Sequence, residues 1–491
     1  MKKLEKITIV GGGTAGFVCA LILKARFPNK EISVVCSKKI GIIGVGEGST
    51  EHWNEFMKYI GVSFQQVIQE CDATFKSGIM FKGWAENDYL HSIGQESQFL
   101  HGQYPINYGH LISNKAKNRE FNSSFTWNNK VATKFLNDDI ENPPFNQYHF
   151  NTNKLNDFLT TLAMVKNIEV FYDEILDISL NDDGEIDQLI CSKNNHQADF
   201  FIDCTGFNRL LMNKLGAKWQ SYSKYLKMKS AIVFPIGDTE EYNMWTTAQA
   251  MDYGWMFKIP VWGRSGNGYI FDSDYITPEQ AKLEVEKFIG HEIDIGKHIT
   301  FDPGALDKVW IKNCCAVGLS ASFVEPLEAT SIGTSIQQTF LLMHRLPNYD
   351  NNTIDKYNKD VNDILINIRD FVLLHYITKK QNTIFWHDIS KIELPDTLKN
   401  NLDRWNKNLP IFDDFSDITN YRLFNSTNYL QIMAPLGLFD VEKIKEEYNM
   451  FGDYYKNKSK ETLYNLKIEE LKTPKIGHKE FITRIRQKVG K

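Results

Sequence analysis

The chain opens on an apolar run, Ile7-Thr8-Ile9-Val10, that passes directly into Gly11-Gly12-Gly13-Thr14-Ala15-Gly16 and then into a second apolar stretch from Phe17 to Leu23. That succession predicts a strand, a glycine turn and a helix, and Ile32 to Val35 supplies a second strand. Thr50 reads as the cap of a helix beginning at His52-Trp53-Asn54-Glu55-Phe56-Met57, and Ser63 with Gln66 reads as a capping box for a further short helix. Lys76 then falls just beyond helical structure. From Glu169 to Leu189 the pattern alternates as in short strands, with a hairpin turn at Asp182-Asp183-Gly184, and Phe200-Phe201-Ile202 is a wholly apolar strand. Beyond about residue 345 the spacing becomes helical, as in Val361, Ile364, Ile366 and Ile368 followed by Phe371 to Leu374. The last stretch sets Phe481, Ile485 and Val489 on one helical face, with Arg484, Arg486 and Lys488 elsewhere, which predicts a final helix docked on the protein. The pattern divides the chain into an α/β core over 1–345, with inserted substrate-site segments, and a mainly helical module over 346–491.

Composition narrows the function. Of 491 residues, 42% are hydrophobic and 24% charged, as in a globular protein with a substantial core. A net charge of −5 provides no basic field, so nucleic acid is not an expected partner. Seven cysteines without CxxC or Cys/His ligand spacing argue against a disulfide framework and against a metal site, and fit a reducing cytoplasm. Met1-Lys2-Lys3 is followed by an apolar stretch too short for a signal peptide, and no apolar run approaches a membrane span. A soluble, cytoplasmic protein acting on small molecules is expected.

Gly11-x-Gly13-x-x-Gly16 has the spacing of a dinucleotide fingerprint, in which glycines permit a tight turn, close approach of backbone to pyrophosphate, and packing of helix on sheet. Thr14 and Ala15 fill the turn. The acid expected about twenty residues on to hold a ribose is missing, because the second strand ends in Cys36-Ser37. Two further strand ends run into small residues, Asp203-Cys204-Thr205-Gly206 and Ala316-Val317-Gly318. Several such strand ends favour FAD, which is held along its length, over a nicotinamide cofactor.

Together with Gly44-Val45-Gly46-Glu47, Thr74-Phe75-Lys76, Phe81-Lys82-Gly83-Trp84 and Tyr148-His149-Phe150-Asn151, these segments resemble the flavin-dependent tryptophan halogenase family from residue 7 to about 345. Gly254-Trp255-Met256-Phe257-Lys258-Ile259-Pro260 resembles the WxWxIP signature that separates halogenases from flavin hydroxylases, with Phe257 replacing the second Trp. Phe323-Val324-Glu325-Pro326-Leu327-Glu328-Ala329-Thr330-Ser331 resembles the halide-site segment. The segments Gly46 to Thr50 and Glu325 to Ser331 look closer to marine and phage-borne members than to the tryptophan enzymes.

The resemblance implies an FAD-binding Rossmann-like fold of the flavin monooxygenase and halogenase type. It implies an oxidoreductase that takes reduced FAD from a separate flavin reductase and uses oxygen to convert halide into hypohalous acid. The acid passes through a tunnel bordered by Trp255, Phe257, Ile259 and Pro260 to halogenate an electron-rich aromatic small molecule. Gly11, Gly13, Thr14, Ala15, Gly16, Gly46, Glu47, Asp203, Gly206 and Gly318 are the implied FAD-binding residues, and Thr330 and Ser331 the implied halide donors. Lys76 aligns with the lysine at the tunnel's far end, where an ammonium can polarise hypohalous acid or an amine can hold the halogen as a haloamine. Glu328 aligns with the carboxylate that orients the oxidant or takes the arenium proton. Read without the family, Lys76 is a solvated charge, Glu328 a helix-entry acid after Pro326, and Trp255 core packing.

Two departures bear on chemistry. The Glu-Ser-Trp-type element of tryptophan halogenases has as its nearest counterpart Ser426-Thr427-Asn428-Tyr429-Leu430, without the Trp, so free tryptophan is expected to be a poor substrate. Ser331 stands where a glycine is usual, which predicts bromide or iodide use at least as good as chloride. The competing readings are a flavin aromatic hydroxylase, which would need neither Lys76 nor the Trp255 segment, and a non-catalytic FAD-binding protein, which would not turn over.

Overall fold

The computed structural model describes residues 4–42, 47–92, 106–107, 109, 129–136 and 145–489. Two sheets organise it. The first has six strands in the order Trp310–Ile311, Cys314–Ala316, Phe200–Asp203, Lys6–Val10, Glu31–Cys36, Glu169–Tyr172, all parallel except the first, which runs antiparallel to its neighbour. Its central strands are continuous apolar runs because helices cover them, and Ile7, Ile9, Val34 and Phe200 to Ile202 have no exposed surface. The helix Thr14–Arg26 follows the glycine turn and packs against Thr330–Arg345 and Thr152–Val165.

The second sheet has seven strands in the order Lys297–Thr300, Ser230–Gly237, Arg264–Phe271, Gly254–Val261, Thr246–Met251, Gly78–Lys82, Tyr89–Ser92. Along Gly254–Val261 the period of two sends Trp255, Phe257 and Ile259 into the main core, while Met256 packs in a separate cluster on the other face. Phe257 lies over Gly268 of the paired strand: a Cβ there would stand 2.5 Å from its ring, so the glycine makes room for the aromatic side chain. A three-stranded sheet, Glu47–Gly48, Gln147–Phe150 and Thr74–Lys76, packs against the Gly254–Val261 strand of the second sheet.

Past residue 345 the chain is mainly helical, led by Asn351–Leu374 and Ser426–Leu436. Its end does not stay within that module. Lys475–Gly477 pairs with Lys130–Ala132, and His478–Val489 lays Phe481 against Phe75, ring centroids 5.9 Å apart. His478 Nε2 accepts from the Phe75 amide at 3.1 Å. The C-terminal helix thus buttresses the strand that carries Lys76, and the boundary at 345 marks a change of secondary structure that the last helix crosses. Lys76, past the helix Phe64–Glu70 as expected, ends a strand. One smaller expectation is corrected: the helix His52–Ile60 has no side-chain cap, since the Thr50 hydroxyl bonds His52 Nδ1 instead. Among the described residues no helix is long and apolar enough to cross a membrane.

Candidate active site

The glycine turn has the shape a pyrophosphate needs. Gly11 takes φ +118°, where a Cβ would lie 2.1 Å from the Cys204 carbonyl oxygen, and a Cβ on Gly16 would lie 1.9 Å from the Gly11 oxygen. Gly13, by contrast, faces open space and begins a helix that no side chain caps, leaving its first amides directed at any anion seated there. Asn156 Nδ2 fixes the turn by donating to the Gly12 carbonyl at 2.8 Å. Cys36, standing where a ribose-binding acid was expected, packs against Gly12. Gly206 and Gly318 have positive φ, and Gly318 sits so close to Ala15 that a Cβ would approach its methyl to 2.7 Å. These features fit FAD along the edge of the parallel sheet.

Two implied FAD residues need qualification. Asp203 is fully buried, and its carboxylate accepts from the Thr205 amide and hydroxyl, the Ser320 hydroxyl and the Leu211 and Met212 amides at 2.7–3.0 Å. Through these bonds and the Ser320 hydroxyl it ties the Gly206 turn to the turn at Gly318–Ser320. Gly46 lies outside the described residues. Glu47 is placed beside the fingerprint, with the Thr14 hydroxyl donating to it at 3.5 Å, and burial raises its carboxyl to about 7.

From Gly318 a narrow cleft runs past Phe323 to Thr330, Ser331 and Thr334 at the start of the helix Thr330–Arg345. The strained residue that opens this helix is Ala329, with φ +53°, and no side chain caps it. The hydroxyls of Thr334 and Ser335 bond back to the carbonyls of Thr330 and Ser331 and leave the first amides unmasked.

Lys76 is fully buried, and its ammonium donates to the Ser49 carbonyl at 2.8 Å. A Cβ on Gly48 would meet Ala329 Cβ at 3.4 Å and Lys76 Cδ at 3.5 Å, so the lysine stem and the halide segment come together over one glycine. Burial lowers the Lys76 ammonium to about 8, partly offset by the charges of Glu328 and Glu51. The Thr74 hydroxyl donates to the Pro260 carbonyl at 2.7 Å and ties the lysine strand to the Trp255 strand. Trp255 is 1% exposed and stands 6.2 Å from Phe257, ring to ring. Phe257, Ile259 and Pro260 are buried beside it.

Two acids three residues apart flank this region. Glu328 has no exposed surface. His91 Nδ1 donates to it at 2.8 Å, His375 Nε2 stands 2.8 Å from its other oxygen, and His375 Nδ1 faces the Phe371 carbonyl at 2.8 Å. Burial pushes the Glu328 carboxyl up, but the charge of His91 and the hydrogen bonds of both histidines outweigh it and hold it well below the usual carboxylate range. Glu325 is the opposite case. Its Oε1 accepts from Trp255 Nε1 at 3.0 Å and from the Tyr376 hydroxyl, its Oε2 has no hydrogen-bond partner, and burial raises it to about 7.

Sequence reasoning missed His91, His375, Tyr376 and Asn428, whose amide meets His91 Nε2 at 3.2 Å. The available signal was slight: His375-Tyr376 directly follows the apolar run Phe371 to Leu374, an unusual place for two polar side chains. Asn428 belongs to the segment Ser426 to Leu430 already singled out, which is buried against His91. Elsewhere Asp173, Cys191 and His196 converge, but Asp173 already accepts from the Ser192 hydroxyl and the amides of Glu174, Lys193 and Asn194, as the anchor of a turn.

Comparison with known proteins agrees with this arrangement. The chain is 31% identical over 442 residues to the 7-chloro-L-tryptophan 6-halogenase KtzR of Kutzneria, spanning 82% of this chain and 85% of that one. It is 29% identical over 472 residues to the tryptophan 6-halogenase SttH of Streptomyces toxytricini (88% and 89%), whose crystal structure superposes with a TM-score of 0.82 over 98% and 99% of the chains. The tryptophan C-6 flavin-dependent halogenase Tar14, a chlorinase from taromycin biosynthesis, superposes at 0.85 with 26% identity over 98% and 100%. The family model of the tryptophan halogenases matches residues 6–448, and the chain therefore belongs to that family of flavin-dependent halogenases, oxidoreductases that work with reduced flavin.

Proposed function

We propose that the protein receives reduced FAD from a separate flavin reductase in the cytoplasm and halogenates an electron-rich indole, phenol or aniline, with Lys76 handling hypohalous acid. Bound at the Gly11–Gly16 turn and in the cleft beyond Gly318, reduced FAD would supply, with oxygen, the oxidation of halide. The first amides of the helix at Thr330 and Ser331 would hold the halide, and Trp255 would keep the aromatic substrate from the flavin side. One observation carries the reading: the buried stem of Lys76 and Ala329, which opens the halide segment's helix, converge over the same glycine, Gly48.

An ammonium whose acidity is raised to about 8 has both protonation states within reach near neutrality. As the cation it donates a hydrogen bond to the oxygen of hypohalous acid and makes the halogen more electrophilic. As the amine it attacks the halogen: an N–halogen bond forms, the O–halogen bond breaks, and water leaves with the amine proton. In either route the ring carbon takes the halogen and the arenium then loses its proton. Glu328, held acidic by two histidines, is a weak base and suits charge and orientation better than strong proton abstraction.

Bromide and iodide should serve at least as well as chloride, because larger halides lose less hydration free energy on entering a buried site and oxidise more easily. Free tryptophan should be poor, since the segment Ser426 to Leu430 offers no stacking Trp as a clamp. A screen of three halides against indoles, phenols, anilines and tryptophan, with a reductase present and products read by mass, tests the proposal. Halogen-bearing products from the non-amino-acid aromatics support it. Hydroxylated products that form without halide would replace it with the hydroxylase reading, and efficient regioselective halogenation of free tryptophan would overturn the substrate assignment.

A further inference from the structure

Glu325 joins three separate parts of the molecule at one oxygen. Trp255 reaches it from the signature strand Gly254–Val261, Tyr376 reaches it from the end of the helix Asn351–Leu374, and Glu325 itself precedes the turn that leads to Thr330. Behind Tyr376 stand Trp84, with ring centroids 5.3 Å apart, and Trp386, at 6.2 Å. Glu325 is 1% exposed, both donors share Oε1, and Oε2 is buried without a partner. A carboxylate anion so placed would have one oxygen stripped of water and unpaired, whereas a neutral acid leaves only an unpaired hydroxyl. The titratable and charged groups around it are Tyr376, whose phenol burial holds well above its ordinary range, and, further along the segment, Glu328 with His91 and His375. Those two histidines are engaged by Glu328, and among the described residues no cation pairs with Glu325.

We propose that Glu325 is a positioning residue kept as a neutral carboxylic acid, whose Oε1 clamps the indole N–H of Trp255 and so holds that ring between the flavin side and the substrate side. The assignment rests on the proposed function above. Through Tyr376 the same oxygen couples the position of Trp255 to the helical module, so that a change where the substrate sits is felt at the ring that guards the flavin. The chemical consequence is retention of oxidant: with Trp255 fixed, reduced flavin spent yields halogenated product, and with Trp255 loose, oxygen is reduced to hydrogen peroxide that escapes.

The test compares wild type with Glu325→Gln, Glu325→Leu and Tyr376→Phe, all assayed as holoenzyme with reductase, bromide and an activated phenol. Glutamine keeps an oxygen that accepts from both donors and cannot ionise, so product per reduced FAD should stay within about twofold of wild type, while leucine should lower it about tenfold with a matching rise in peroxide. Tyr376→Phe should fall between. A second readout needs no turnover. Because the folded-state acid is raised from 4.5 to about 7, wild type should lose stability as pH rises through that window, and the loss should be smaller in Glu325→Gln. Glutamine that leaks as much as leucine, leucine that couples like wild type, or a pH dependence unchanged in Glu325→Gln would each overturn the assignment. If Glu325→Leu does not fold, the glutamine and Tyr376→Phe arms still decide. A wild type that makes no halogenated product would instead refute the function, whatever the variants do.

Discussion

Glu325 and Glu328 lie on one short turn and share their burial, yet their surroundings drive them in opposite directions. Glu328 meets two imidazoles and is held ionised well below the carboxylate range, while Glu325 meets only an indole N–H and a phenol and is raised to about 7. Successive residues at one helix end divide the work, His375 serving Glu328 and Tyr376 serving Glu325. The lesson is that residue type does not assign a role here. A carboxylate with two imidazole partners keeps its negative charge beside Lys76, and a carboxyl with only an indole N–H and a phenol becomes a fixed hydrogen-bond acceptor.

The sharpest way to break that contrast is Glu328→Gln, which should lower halogenation by on the order of 10² while leaving the fold intact, against the small effect of the same change at Glu325. Steady-state rates at saturating halide check it, and equal effects at the two positions would erase the distinction. His375→Asn should cost less, about tenfold, because His91 still donates to Glu328, and its rate should show a different pH profile on the acid side. The next effect is in stability. A carboxyl whose folded-state value lies near 2 against an ordinary 4.5 stabilises the fold above pH 4.5 and loses that contribution as pH falls toward 2. Denaturant midpoints of wild type and Glu328→Gln should therefore draw together as pH falls from about 4.5 toward 2. Convergence on raising the pH instead would mean the acid is not held ionised. The smallest expected effect is the halide ratio: in competition at equal concentrations on one activated phenol, brominated or iodinated product should at least equal chlorinated product, and Ser331→Gly should move the ratio toward chloride.

The fold was largely legible in the sequence because its core strands are unbroken apolar runs and its glycines stand where backbone atoms come within 2.1 Å of a would-be side chain. Lys76, Glu328 and the Trp255 segment were legible only through family motifs, since burial of a lysine cannot be read from Thr74-Phe75-Lys76. What stayed hidden was pairing at long range. His91 and Glu328 are 237 positions apart, and Phe75 meets His478 across 403, contacts that no local period encodes. The contacts of Asp203 were hidden for a related reason: one of the turns its carboxylate holds, at Ser320, lies 117 positions further on.

The most direct test of the account is Lys76→Ala, assayed with reductase, bromide, an activated indole and a scavenger of free hypohalite. The account predicts that the variant still binds FAD and still consumes reduced flavin, because the Lys76 ammonium hydrogen-bonds to Ser49 and lies far in sequence from the Gly11–Gly16 turn, and that halogenated product falls by about 10³ or more. Halogenation by the variant at near wild-type rate, with the scavenger present, would contradict it.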